Sequence, residues 1–240
     1  MKKYYTRACN FYYGSTSKKL INNKLALPLC ADKNIAFDKI EIFTRDKKKI
    51  TSKIITLKNI KFLNAKLKKK VNEDLRNIVK KRKYFRKPSI MGVLNMTPDS
   101  FSDGGRFNKT KKAFSQINLM IKSGALIIDI GGESTRPGSK IVHPKQEWIR
   151  IKNVVKIFKK KYPKILLSID TRKSEIMNKA IKYKADIIND VSSFNYDKKS
   201  VTQIKNSDVW KVIHHMQGTP QNMQINPKYK NVLLDLYDFF

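Results

Sequence analysis

The chain has 240 residues, 40% of them hydrophobic, with 52 basic and 19 acidic side chains and a formal net charge of +33. This length and apolar content exclude a disordered chain and allow one large domain or two small ones with a buried core. Cys9 and Cys30 are the only cysteines and lack CxxC spacing, which excludes a disulfide framework and a zinc site and fits a reducing cytosol.

Residues 1–87 read as a small α+β extension. Ser15 to Asn23 predicts a short helix, Ile35 to Phe43 alternates as a strand should, and Ile50 to Leu57 is expected to pair with it. Val71, Leu75, Ile78 and Val79 recur at helical spacing between Lys70 and Lys83. The aromatic residues Tyr4, Tyr5, Phe11, Tyr12 and Tyr13 are read as packing, because no single-strand-binding pattern surrounds them.

From Pro88 the rhythm becomes strand, loop, helix, repeated. Ile90 to Leu94 is an apolar strand, followed by the polar stretch Asn95-Met96-Thr97-Pro98-Asp99-Ser100-Phe101-Ser102-Asp103-Gly104-Gly105. A connector needs only turn residues. This one adds an amide, carboxylates, hydroxyls and an aromatic ring, as an active-site loop does. A helix over Lys109 to Ser123 closes at Gly124. Then come the strand Leu126–Ile130, the loop from Gly131 to Ser139, a helix over Pro144 to Lys161, and the strand from Ile165 to Asp170. Ser174 to Tyr183 predicts a helix, Ile187–Ile188 a strand ending at Asn189-Asp190, and Lys198 to Lys205 a short helix. Trp210 to His215 is a fifth strand, and Tyr229 to Phe240 begins another helix.

Strands alternating with helices at this spacing imply βα units and a parallel sheet covered on both faces. Asn95, the Gly131–Gly138 loop, Asp170, Asn189 and His215 all fall at or just beyond strand C-terminal ends. A barrel gathers those ends at one mouth, whereas a doubly wound sheet does so only near its switch point, so a barrel is expected. Asp129 lies inside an apolar strand and is expected to face the barrel interior with hydrogen-bond partners. His214 and His143 are expected to be a structural and a loop residue, respectively.

The stretch from Asn95 to Gly105, with Gly131-Gly132-Glu133-Ser134-Thr135-Arg136-Pro137-Gly138, resembles dihydropteroate synthase. Ser168-Ile169-Asp170-Thr171, Ile187-Ile188-Asn189-Asp190-Val191 and His215-Met216-Gln217-Gly218-Thr219-Pro220 follow in that family's order. The resemblance covers about Ser89 to Phe240. It implies an α/β fold, a (β/α)8 TIM barrel that is incomplete here, with about five of eight strands present. It also implies joining of 4-aminobenzoate to 6-hydroxymethyl-7,8-dihydropterin diphosphate in folate synthesis, with Mg²⁺ required.

By the same resemblance Asn95 is a metal ligand, Thr135 meets the diphosphate end, and Asp170 and Asn189 hold the pterin edge. Asp99 and Arg136 are the catalytic loop residues, with Phe101 and Pro137 packing on the aminobenzoate ring and His215 lining the site. A helix N-cap remains open for Asp170 and Asn189, as Asp and Asn are favoured caps. The expected partners are these small molecules, with no nucleic acid, no membrane, and a homodimer as in full-length members. No signal peptide is expected from the N-terminus and no apolar run reaches the roughly 18 residues of a membrane span, so the location expected is cytoplasmic. Two other readings stay open: a catalytically inactive pterin-binding fragment, and a basic protein that binds nucleic acid through its charge.

Overall fold

The computed structural model describes residues 2–47, 49–82, 88–97, 106–134, 139, 141–219 and 222–240, with backbone alone at 106–108. The chain falls into two compact units, Met1–Arg86 and Lys87–Phe240.

The first unit is built on one long strand. Strand β1 (Lys3–Tyr13), helix α1 (Gly14–Asn22), strands β2 (Leu27–Leu29), β3 (Asp32–Asp46) and β4 (Lys49–Thr56), a 3-10 turn (Leu57–Phe62) and helix α2 (Ala65–Val79) follow in order. β3 pairs antiparallel with β1 along its length, with β2 near its start and with β4 near its end. Leu67, Val71 and Leu75, spaced four apart on α2, bury one helical stripe against Phe37, Ile40 and Ile42 of β3. Asn64 caps that helix by accepting from Leu67 N at 3.0 Å. The aromatic residues of β1 divide: Tyr5 is 4% exposed, whereas Phe11 and Tyr13 are 40% and 66% exposed. These three share one parity along β1, so their burial differs with position along the strand and they are not one packed cluster.

The second unit contains β5 (Ile90–Asn95), α3 (Arg106–Lys122), β6 (Ala125–Gly131), α4 (Pro144–Lys161), β7 (Leu166–Asp170), α5 (Ser174–Lys182), β8 (Ile187–Asp190), α6 (Ser200–Ile204), β9 (Trp210–Ile213) and α7 (Val232–Phe239). Its five strands are parallel and lie side by side in chain order, β5-β6-β7-β8-β9. A doubly wound sheet would reverse direction from a central strand. Strict sequential order is that of a barrel, and the described strands form an open arc of one.

The strands are two-sided. Leu94, Ile128, Ile130, Leu167, Ile169 and Ile188 face the helices and join Ala113, Ile117, Ile151, Val154, Phe158, Ile176 and Met177 in one core. Alternate residues face the other way, into the arc. There the middle strands bury Asp129, Ser168 and Ile187, while the flanking β5 and β9 leave Val93 57%, Trp210 42% and Val212 39% exposed. Gly124, with φ of 99°, closes α3 in the left-handed region open to glycine. α4 starts with Pro144 at its first turn behind His143, whose Nδ1 accepts from Lys145 N at 3.3 Å. The predicted loop histidine is therefore the helix cap.

Candidate active site

Strand register places the strand-end polar residues on one line. Asn95 pairs with Gly131, Gly131 with Asp170, and Asp170 with Asn189. In a parallel ladder, register partners project to the same face, so Asn95, Asp170 and Asn189 share the inner face at the strands' C-terminal ends. Gly131 leaves the space between them clear. A β-carbon placed on it would lie 3.4 Å from Asp170 Oδ2 and 3.6 Å from Asn95 Oδ1, so the two oxygens converge above the glycine. The helix-cap alternative left open for Asp170 does not apply. Helix α5 takes its terminal hydrogen bond from another loop, with Ser174 N donating to Asp197 Oδ2 at 2.9 Å.

One register step below lies the floor. Asp129 pairs with Ser168 across the strands; Ser168 Oγ donates to Asp129 Oδ1 at 2.5 Å and Asn189 Nδ2 donates to Asp129 Oδ2 at 3.1 Å. The buried carboxylate is thus partnered on both oxygens, and it orients the Asn189 amide. Burial raises the Asp129 pKa against those two hydrogen bonds. Asp170 is pushed further. Protein packs round most of its carboxyl while its outer edge still meets solvent, and that burial, then the carboxylates of Asp129, Glu147, Asp190 and Glu133, raise its pKa to about 8. At neutral pH this group keeps a proton and can either donate or accept.

Beside the row runs a buried network that sequence reasoning missed. Arg172 Nε donates to Glu133 Oε2 at 2.9 Å, and Lys173 Nζ stands 3.0 Å from the same oxygen while also donating to Glu147. Thr171 Oγ1 donates to Glu147 Oε1 at 2.5 Å. The Arg172 guanidinium lies over the Tyr196 ring, 4.0 Å from its centre. Burial alone would raise Glu133, but hydrogen bonds from Arg172, Val142 N and Lys173 hold it below the usual glutamate range. Glu147 goes the other way, because its burial outweighs the bonds from Lys173 and Thr171. At the end of β8, Asp190 accepts from Ser192 N and Oγ, both at 2.7 Å, and from Phe194 N at 3.0 Å. It holds Ser193 and Phe194 at φ of 53° and 63°, left-handed conformations that such residues rarely keep unaided.

His215 is engaged elsewhere. Its Nε2 lies 2.9 Å from the Tyr229 hydroxyl and its ring packs edge-on to Phe239, with centroids 4.5 Å apart, so its contacts go to the C-terminal segment. His214 meets Ser193 Oγ through both its backbone N–H and its carbonyl, a structural tie between the β8 and β9 ends. Asp99, Phe101, Thr135, Arg136 and Pro137 lie outside the described residues. Among the described residues no group of three or more His, Cys, Asp or Glu is arranged to hold a metal. Asn95 offers one neutral oxygen, which suits a Mg²⁺ ion whose other ligands are water and substrate phosphate.

Residues 91–240, which carry these strands and their inner row, match a known family described as pterin binding enzyme. The chain belongs to the pterin-binding enzymes. It is 44% identical over 150 residues to dihydropteroate synthase of Neisseria meningitidis serogroup C, covering 61% of this chain and 52% of that one. It is 40% identical over 153 residues to the Escherichia coli K12 enzyme of the same name, covering 64% and 54%. A crystal structure of Yersinia pestis dihydropteroate synthase with a sulfonamide drug superposes at a TM-score of 0.58 and 38% identity, covering 64% of this chain and 55% of that one. The chain thus spans about half the length of these relatives. Within a pterin-binding enzyme, the arc is the part of the barrel that brings the row together. The Glu133 network is the feature whose signal was weakest: Arg172 and Lys173 follow Asp170 in sequence, but nothing in that run tells that they reach back to the β6 loop.

Proposed function

We propose that the chain acts as a dihydropteroate synthase in folate synthesis, with Mg²⁺ and in the cytoplasm. The reaction joins 6-hydroxymethyl-7,8-dihydropterin diphosphate to 4-aminobenzoate and releases 7,8-dihydropteroate and diphosphate. One observation carries this reading: Asn95, Asp170 and Asn189 share one inner row with the clear space over Gly131 between two of them. A dihydropterin edge offers N–H donors and acceptors side by side, and a carboxyl beside an amide complements it. Asn95 would hold Mg²⁺, which supplies charge neutralisation on the diphosphate.

The residues of the chain do the rest by placement. Asp170 and Asn189 orient the ring, and Asp129 fixes the Asn189 amide from below. In the roles that the family resemblance implies, Thr135 meets the diphosphate end, while Asp99, Phe101, Arg136 and Pro137 enclose the aminobenzoate. The methylene C–O bond breaks with its electron pair going to diphosphate, the arylamine nitrogen forms the C–N bond, and that nitrogen then loses a proton. Positioning of two reactants and electrostatic support are the contributions asked of the protein.

Titration calorimetry with pterin diphosphate and Mg²⁺, run beside an assay for dihydropteroate, tests the reading on the full chain. Binding and product are expected, with binding lost by about 100-fold in Asn189→Ala, which removes both a ligand contact and a partner of buried Asp129. Binding without product would reduce the protein to a pterin binder. Absence of binding would overturn the reading, and an affinity that collapses with salt on nucleic acid would replace it.

A further inference from the structure

The first unit carries a pocket between strand β2 and helix α2. Leu27, Lys69, Asn72, Leu75, Arg76 and Val79 line it, and its volume is about 470 Å³, within the usual range for sites of small organic molecules. Leu27, Leu75 and Val79 form an apolar floor. Lys69, Asn72 and Arg76 follow one another at intervals of three and four, so they run along one side of α2 as the rim. All three are exposed, and none of their side chains hydrogen-bonds or ion-pairs with a described residue. The neighbouring Lys70 differs, with its Nζ held 2.6 Å from Asp74 Oδ1. The two walls are tied together. Cys30 N donates to Ile78 O at 2.9 Å, joining the turn between β2 and β3 to the last turn of α2. In that turn Cys30 and Ala31 have φ of 51° and 61°. Two-residue hairpin turns with both centres left-handed favour Asn and Gly. Cys and Ala hold this one at a backbone cost, a kind of strain that gathers beside ligand sites.

We propose that this pocket binds a small organic carboxylate with an apolar body, a site of the first unit that is independent of the dihydropteroate synthase reading. The anionic head sits over Asn72, whose amide donates to it, within reach of Lys69 one turn before and Arg76 one turn after. The body lies on Leu27, Leu75 and Val79 and is removed from water there. Each part needs the other, because salt screens the attraction of solvated cations and three apolar side chains offer little area. Cations are abundant on a chain with a net charge of +33, but here two of them flank one amide above an apolar floor. Among the described residues no aromatic ring lines the pocket, so the stacking that a nucleic-acid base would call for is missing.

Calorimetric titration of the full chain with sodium octanoate in about 150 mM NaCl tests this, beside sodium acetate, which lacks the body, and 1-octanol, which lacks the charge. Octanoate is expected to bind about 10-fold more tightly than either, or better. Arg76→Gln should weaken octanoate by about 10-fold, and Asn72→Glu, which sets a carboxylate where the head would lie, by more. Both positions are exposed, so the fold is kept. Lys53→Gln removes the same charge from an exposed position on β4 and should leave the affinity within about twofold of the parent. In methyl NMR the largest octanoate-induced shifts are expected at Leu27, Leu75 and Val79. No octanoate binding by the parent would overturn the site. Equal affinity for acetate or for 1-octanol would overturn the pairing of head and body. An equal loss in Lys53→Gln and Arg76→Gln, or methyl shifts centred elsewhere, would reduce the binding to diffuse attraction by a basic chain and end the proposal.

Discussion

At Asp170 the surroundings change what a carboxyl can do. Its ordinary pKa of 3.8, the value for the unfolded chain, becomes about 8 in the fold. Between those values the native state binds more protons than the unfolded one, so the stability from the protonated form is complete below 3.8 and is lost as pH rises through about 8. Asp170→Asn cannot ionise. The melting temperature of the parent is therefore expected to fall relative to that of Asp170→Asn as pH is raised from 4 toward about 8. The two tryptophans, Trp148 and Trp210, both lie in the second unit, so their fluorescence follows the relevant transition. Parallel pH profiles in the two proteins would contradict the raised pKa. Ser168 is fully buried and donates to Asp129, so Ser168→Ala leaves a buried carboxylate short of one partner. A loss of about 1–3 kcal/mol in urea denaturation is expected, and a change under 0.5 kcal/mol would show that water or rearrangement replaces the hydroxyl.

Neighbouring glycines at the end of β6 serve different elements. Gly132 is where the loop grazes helix α4: a β-carbon there would stand 2.8 Å from the Glu147 backbone oxygen and 3.1 Å from Ile151 Cγ2. Backbone on one side cannot rotate away. Gly132→Ala should push the β6 end from α4, costing about 1–3 kcal/mol by denaturation. Gly131→Ala meets only ordinary contacts at 3.4–3.6 Å and should fold nearly as well, while filling the space between Asn95 and Asp170. Its effect is expected in pterin diphosphate calorimetry, as a loss of about 10-fold or more. If Gly131→Ala lost stability and kept affinity, the assignment of that space to a ligand would fail. Element positions were well signalled along this part of the chain. Pro144 opens α4, Gly124 closes α3, and the apolar runs before Asn95 and Asp170 are β5 and β7, because each rests on a period or a punctuating residue that acts locally. Strand β1 was missed: its alternation is broken by tyrosines and basic residues on both faces, and only pairing with β3 gives it a form.

Across the whole second unit, the strands at the two ends of the arc carry exposed apolar groups, Val93 at β5 and Trp210, Val212 and Ile213 at β9. Such strands invite pairing between chains, and a net charge of +33 opposes it by repulsion that salt screens. Light scattering of the 240-residue chain should therefore rise with NaCl, and rise less for Ile213→Lys, which adds charge at the β9 edge. An equal response of the two proteins would exclude that edge as the contact. At this scale the division between sequence and structure is clear. The sequence by itself determined the βα rhythm, the polar strand ends and the row candidates Asn95, Asp170 and Asn189, since periodicity and loop chemistry are local properties of the chain. Tertiary structure alone decided that these three share one face, that His215 turns to Tyr229 and Phe239, and that Glu133 meets Val142, Arg172 and Lys173. Those facts depend on strand register and on which buried charges find each other, and neither is encoded within reach of a single segment.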